Sequence, residues 1–378
     1  MNTFMSFLVM IFTVVNSVIG IPSTGLIFDI DTPAAVFESG DDMYTVIWTT
    51  TKKGSGYITY SYAGKDYTVT DQVSGNIRTD DTIHSVRVPK AHLDRNTYTY
   101  HSESVPFKFG YFAFKGKTVS SEPVEFGGYS DGETVRFLVL SDIHAEMGPV
   151  LEAVSHFSEK PSMIILNGDI VSSMEFKSNF VKILSYAAEL TGGKIPAAYI
   201  RGNHEPRGEF AANTAQYFKT STGGLYYTFN YGPVWAIAGD SGEDKEDSHK
   251  EYSGLVDFTQ YIADETKWLN ALEPDTAEGN LYRLCFVHQP YLDFYGNDWI
   301  SPLSDKGIQA VISGHTHSLV LDYKEGSAPF HRIIDGGKSE EFGYIATMLT
   351  FEGENMNLRS VRADGTTAGE KAYEMNLK

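Results

Sequence analysis

The chain has 378 residues, 42% of them hydrophobic, with 23 Phe and 23 Tyr. That is enough for a sizeable core and, at roughly 100–200 residues per domain, for two domains. Lys and Arg number 30 against 49 Asp and Glu, a formal charge of −19. With no basic cluster standing out, this argues against a nucleic acid polymer or an anionic membrane as partner.

Residues 1–20, MNTFMSFLVMIFTVVNSVIG, carry an apolar run from Phe7 to Phe12 and no charge. The run falls short of the roughly 20 residues of a membrane span, and small residues near Gly20 suit a cleavage site. A signal peptide is therefore expected, leaving a protein without stable membrane insertion in a secreted, endomembrane or lysosome-like compartment. An uncleaved anchor and a buried native segment are the alternatives. Cys285 is the only cysteine, so no intrachain disulfide can form.

From residue 21 to 130, short β-type runs follow one another between Gly, Asp and Lys turns: TVIWTT (45–50), YITYSY (57–62), HSVRVP (84–89), TYTYHSESV (97–105) and FKFGYFAF (107–114). This spacing predicts an all-β sandwich. Trp48 in an early strand, with Leu93 before the alternating Tyr98 and Tyr100, is similar to a fibronectin type III domain.

Residues 131–378 change rhythm. VRFLVL (135–140), SMIILN (162–167), AAYI (197–200), VWAIA (234–238), LCFV (284–287) and AVIS (310–313) read as strands, and 148–158, 174–190 and 257–272 as helices. LVLDYK (319–324), HRII (331–334) and YIATMLTF (344–351) add strands. The alternation predicts an α/β layered domain, its β-sheets flanked by helices.

Five of these strands end on ligand-type residues: Asp142-x-His144, Gly168-Asp169, Gly202-Asn203-His204-Glu205, His288-Gln-Pro and Gly314-His315-Thr-His317. The carboxyl edge of an open α/β sheet is where sites are built. Residues two apart project to one side of an extended chain, which pairs Asp142 with His144 and His315 with His317. Oxygen ligands mixed with imidazoles suit Zn, Fe or Mn, and the lack of thiolates excludes a structural cysteine-type zinc site. Taken singly, each motif also has a plain reading as a cap, a turn or a satisfied polar residue. Five in chain order do not.

In that order the motifs resemble the calcineurin-like metallophosphoesterase superfamily, and the two-part architecture is closest to the purple acid phosphatases. The resemblance implies two metal ions (Fe, Zn or Mn): Asp142, His144 and His317 on the first, Asn203, His288 and His315 on the second, and Asp169 bridging. It also implies that His204 contacts the phosphate and protonates the leaving oxygen. The purple enzymes carry a metal-binding Tyr three residues after the bridging Asp; here that position is Ser172, and His144 replaces the missing ligand, which weakens the case for ferric iron. Arg201 is read as a substrate-side group that steers phosphate, against a surface salt bridge, and Glu205 as a group behind the ligands or on the substrate side, against an exposed helix-start carboxylate.

The expected activity is an acid-phosphatase-like phosphomonoesterase acting on a small phosphorylated substrate. A phosphodiesterase or nucleotide hydrolase stays open, with Tyr291, Phe294, Tyr295 and Trp299 either stacking a base or filling the core. A non-catalytic adhesion or phosphate-binding protein is the alternative of another class.

Overall fold

The computed structural model describes residues 27–274, 282–324 and 327–375. The expected signal peptide lies outside these residues. No helix among them is long and apolar enough to cross a membrane.

The apolar runs after residue 131 form the strands expected of them. Val135–Leu140, Met163–Asn167 and Ala197–Ile200 pair in parallel within a large sheet. Val234–Ala238, Tyr282–Phe286, Ala310–Ser313 and His331–Asp335 pair in parallel within a smaller, six-stranded one. Such strands are apolar at nearly every position because both faces are covered. Leu138 and Leu140 face the helices Met147–Ser155 and Lys177–Thr191. Phe137 and Val139, on the opposite face, meet Phe229, Phe286 and Ile312 of the smaller sheet. The far side of that sheet is closed by Phe258–Ala271 and Ile300–Asp305, with Trp299, Ile262 and Leu269 packed on Trp235, Cys285 and Val311. The layers run helix, sheet, sheet, helix.

The three expected helices are present within a few residues. The run LVLDYK contributes only Leu319–Val320 as strand. The strand Tyr227–Tyr231, absent from the sequence reading, opens the smaller sheet.

The N-terminal strands differ from the expectation of a self-standing sandwich. Ala35–Glu38 pairs in parallel with Ala197–Ile200 through Phe37 and Ala197, and antiparallel with Met43–Tyr62 on its other side. Strands from both halves of the chain therefore belong to one hydrogen-bonded sheet of fourteen strands. Successive side chains point to opposite faces. Ala35, Phe37 and Ile47 enter the helix-covered core of the second half, while Val36, Val46 and Trp48 enter a local core with Leu93, Tyr98 and Tyr100. A segment buried on both faces cannot stand apart. The Tyr98 hydroxyl, too, reaches across, donating to the Gly193 carbonyl at 2.9 Å.

The junction also holds a buried ion pair. Lys90 Nζ lies 2.6 Å from Glu38 Oε2 and donates to the Asn230 carbonyl at 2.7 Å. Burial pushes the Glu38 carboxyl up to about 7 even against Lys90. Removing one partner strands a charge, whereas removing both does not. Lys90→Met is therefore expected to destabilise the fold by about 3–5 kcal/mol, and adding Glu38→Leu to restore most of it. Urea unfolding of both variants checks this; equal stability of the single and double variants would contradict it.

Candidate metal centre

The ligand-type residues follow strands of both sheets: Asp142, Asp169 and Asn203 after three neighbours of the large sheet, His288 and His315 after two neighbours of the smaller one. Packing the sheets face to face brings these ends together. Tight turns deliver them, with left-handed φ at Asp142, His144, Asp169, His315 and His317, a conformation that non-glycine residues hold only where the surroundings enforce it. Gly168 and Gly314 allow the approach. A Cβ on Gly168 would lie 2.5 Å from the His288 ring, and one on Gly314 2.8 Å from Asp142 Oδ2.

Three overlapping groups could each hold an ion: Asp142, His144 and His317; Asp169, His288 and His315; and His144, Asp169 and His204. In the first, His317 Nε2 is 3.4 Å from Asp142 Oδ1 and 3.2 Å from His144 Nε2. In the second, His288 Nε2 is 3.2 Å from Asp169 Oδ2. Asn203 Oδ1 joins it, 3.0 Å from His315 Nδ1. Asp169 sits between the two, its Oδ2 4.0 Å from His144 Nε2.

The donor set fits cations. Asp142 Oδ1 is buried without a hydrogen-bond partner, although ring nitrogens lie 3.4 and 3.8 Å away. Asn203 turns its amide oxygen to His315 Nδ1 and to Asp169 Oδ2, acceptor against acceptor. Turned over, the amide nitrogen hydrogen-bonds both and its oxygen accepts from Arg207 Nη2 at 3.0 Å, the orientation that satisfies the metal-free protein; with the oxygen inward, Asn203 would ligate an ion. Outer contacts fix the imidazoles, as is usual for metal-ligating histidines. His288 Nδ1 donates to the Asn167 carbonyl at 2.7 Å, leaving Nε2 for the site. His204 Nδ1 donates to the Ser172 carbonyl at 3.0 Å and leaves its Nε2 facing Asp169 Oδ2, 3.8 Å away. Ser172, at the position of the missing Tyr, thus acts through its backbone.

Glu205 and Arg201 depart from the substrate-side reading. Glu205 is 1% exposed, and its oxygens accept four backbone N–H groups, from Asp169, Ile170, Val171 and Gly202, at 2.7–3.2 Å. It clamps two of the ligand-bearing turns together, in keeping with the reading of a group behind the ligands. Arg201 is locked to Asp240 at 2.8 and 3.1 Å and stacked against Phe258 and Tyr261. It borders a cavity of about 750 Å³, with Pro206, Glu251 and Tyr252, whose lining includes none of the seven ligand-type residues.

The cation at the site is instead Arg207, which the sequence reading passed over. Its Nη1 lies 3.1 Å from His204 Nε2, and Glu243 holds the guanidinium in a fork at 2.8 and 2.9 Å. Its place three residues after His204 was the available signal; nothing local pointed to Glu243. Of the aromatic residues after His288, Phe294 and Trp299 are core, and Tyr295 donates to the Glu243 and Lys245 carbonyls. Tyr291 alone is exposed, its ring 5.8 Å from that of His315.

Residues 135–319 match the family model for calcineurin-like phosphoesterases. This segment is a calcineurin-like phosphoesterase domain. A serine/threonine-protein phosphatase, CPPED1 of Danio rerio, is 26% identical over 184 residues, 44% of this chain. The chain spans 57% of that relative's length. Among solved structures, a dimetal phosphatase from Danio rerio has a TM-score of 0.44 at 12% identity, covering 64% of this chain and 99% of its own. PhoD has a TM-score of 0.46 at 10% identity, covering 91% and 92%.

Without metal, the phosphoesterase site rearranges its protons. Burial works against a charged His288, but Asp169 and Asp142 outweigh it and lift the imidazole to about 10. Burial lowers His144 to about 4. Burial would also raise Asp169, yet His288 and His204 hold it below the usual carboxylate range. Because the folded value of His288 lies above its ordinary 6.5, the His288 contribution to the stability of the metal-free protein is complete below about pH 6.5, while Asp169 is ionised, and is lost as pH rises through about 10. A metal must displace this proton. Titrating metal into the metal-free protein at pH 7 is expected to release about one proton from His288, measured calorimetrically in two buffers of different ionisation enthalpy. Heats independent of the buffer would contradict the assignment.

Proposed function

We propose that this chain is a dinuclear metal-dependent phosphoesterase that prefers phosphomonoesters. The observation that carries the reading is the convergence of seven oxygen and imidazole ligands, with Asp142 Oδ1 buried among ring nitrogens without a hydrogen-bond partner and His204 and Arg207 at their edge. Asp142, His144 and His317 would hold one ion, Asn203, His288 and His315 the other, and Asp169 would be shared. Such a pair, when bound, supplies positive charge for phosphoryl oxygens and makes water acidic enough to attack near neutral pH.

The chain's own residues do the rest. Arg207, oriented by Glu243, offers N–H donors to a phosphoryl oxygen; a guanidinium is suited to this because its donors are planar and fixed. In the substrate-free protein it rests against the His204 ring. A phosphate that draws Arg207 away takes its place beside His204 Nε2. With Nδ1 tied to the Ser172 carbonyl, Nε2 is the nitrogen that would hand its proton to the leaving oxygen. The extra cation favours the dianion of a monoester over a diester. Exposed Tyr291 beside His315 is the observation that favours a diester or nucleotide with a base to stack. The N-terminal strands, continuous with the catalytic sheet, serve as its extension, which leaves the non-catalytic adhesion reading little support. Secretion remains a proposal from residues 1–20.

Activity of the metal-loaded protein on an aryl phosphomonoester and its matched diester tests the proposal. A higher kcat/KM is expected for the monoester; hydrolysis of neither would overturn it. His204→Ala is expected to retain both metals and lose roughly 10²–10⁴-fold in rate on alkyl phosphates, and less on nitrophenyl phosphate. Loss of one metal would reassign His204 as a ligand, in keeping with its place beside His144 and Asp169. Arg207→Ala is expected to raise KM by about tenfold or more, with Arg207→Lys intermediate. An unchanged KM would remove Arg207 from the substrate.

A further inference from the structure

Phe107–Phe109 and Phe112–Phe114 form a two-stranded sheet that pairs with no other described strand. Phe107 is directly opposite Phe114, and Phe109 opposite Phe112. Residues so paired share a face, so four phenyl rings lie on one side of the hairpin. They are 40–67% exposed, and Tyr111 at the turn is fully exposed. On the other face, Lys108 Nζ reaches back to the Ile77 carbonyl and Thr79 Oγ1, both at 3.4 Å.

The hairpin's own segment, between Glu103 and Glu122, is basic. Residues 104–121 contain Lys108, Lys115 and Lys117 and no acidic residue, in a chain of net charge −19. Lys115 pairs with Glu103 at 2.7 Å but stays largely exposed, and Lys117 donates to the Phe28 carbonyl at 3.2 Å, at the hairpin's base.

We propose that this hairpin docks the protein peripherally on a lipid bilayer, its phenyl face and Tyr111 entering the headgroup region and the largely exposed Lys115 meeting anionic headgroups. Aromatic side chains flanked by lysines are the composition of the membrane–water interface. At physiological ionic strength, charges more than about 8 Å away are screened, so the hairpin meets the surface with its own charge and not the net −19. A second copy of the chain is a poorer occupant. A stable interface needs about 800 Å² per partner, more than five partly covered aromatic side chains expose. Such a contact is not the stable insertion that the sequence argued against. It does run against the sequence-based exclusion of anionic surfaces, which rested on the net charge and on no basic cluster standing out.

The test is sedimentation of the full chain with phosphatidylcholine vesicles, with and without phosphatidylserine. Binding to the serine-containing vesicles is expected, weakening with salt and several-fold lower on phosphatidylcholine alone. Changing Phe109, Tyr111 and Phe112 together to Ser should lower it by about tenfold or more, with melting temperature unchanged. If that triple variant does not fold, Tyr111→Ser, at a fully exposed turn, should still weaken binding. Wild-type binding in the folded variant would overturn the proposal, as would failure of the wild type to bind. Self-association lost in the variant, without vesicle binding, would overturn it in favour of a second copy.

Discussion

Seven electron-pair donors gathered within a few ångströms repel one another unless something positive lies between them. That constraint organises the rest of this structure. Asp169 is its centre: one of its oxygens faces ring nitrogens of His288, His204 and His144, while the other accepts the His204 backbone N–H at 2.9 Å. Holding such a cluster in place requires a rigid support, and two face-packed sheets with helices outside provide it. Their strand ends position each ligand to within the turn that follows, and Glu205 fixes two of those turns to each other through backbone N–H groups.

The polar network behind the ligands serves the same end. Ser141 Oγ donates to Asp335 Oδ1 at 2.6 Å, and Asn167 Nδ2 lies 3.3 Å from Asp335 Oδ2. Burial pushes the Asp335 carboxyl up to about 7. These groups join Ser141, just before Asp142, to Asn167, whose carbonyl orients His288. Buried polar groups left unsatisfied are costly, so this network restricts the site to one arrangement even before a cation arrives.

Much of the site was legible in the sequence because its elements are local. An apolar run followed at once by Asp, Asn or His identifies both the strand and what its end presents, and five such junctions stand in plain view. What was not legible depends on pairs distant along the chain. The sequence left Glu205 open between a place behind the ligands and one on the substrate side, because its donors at residues 169–171 lie on another turn. Arg207 and Glu243 form a fork across 36 positions, with no pattern around Glu243 to announce it. The N-terminal strands read as an independent sandwich because alternation reveals which faces are buried but not which core each face enters. Ala35–Glu38, buried on both sides, belongs to two cores at once.

The central claim is that these ligands hold two ions sharing Asp169. Two equivalents of Mn(II) added to the metal-free protein and read by electron paramagnetic resonance test it most directly. Ions in such sites lie about 3.5–4 Å apart, close enough for magnetic coupling. An exchange-coupled spectrum at two equivalents, lost in Asp169→Asn, is the predicted result. A six-line spectrum of isolated Mn(II), saturating at one equivalent, would contradict it.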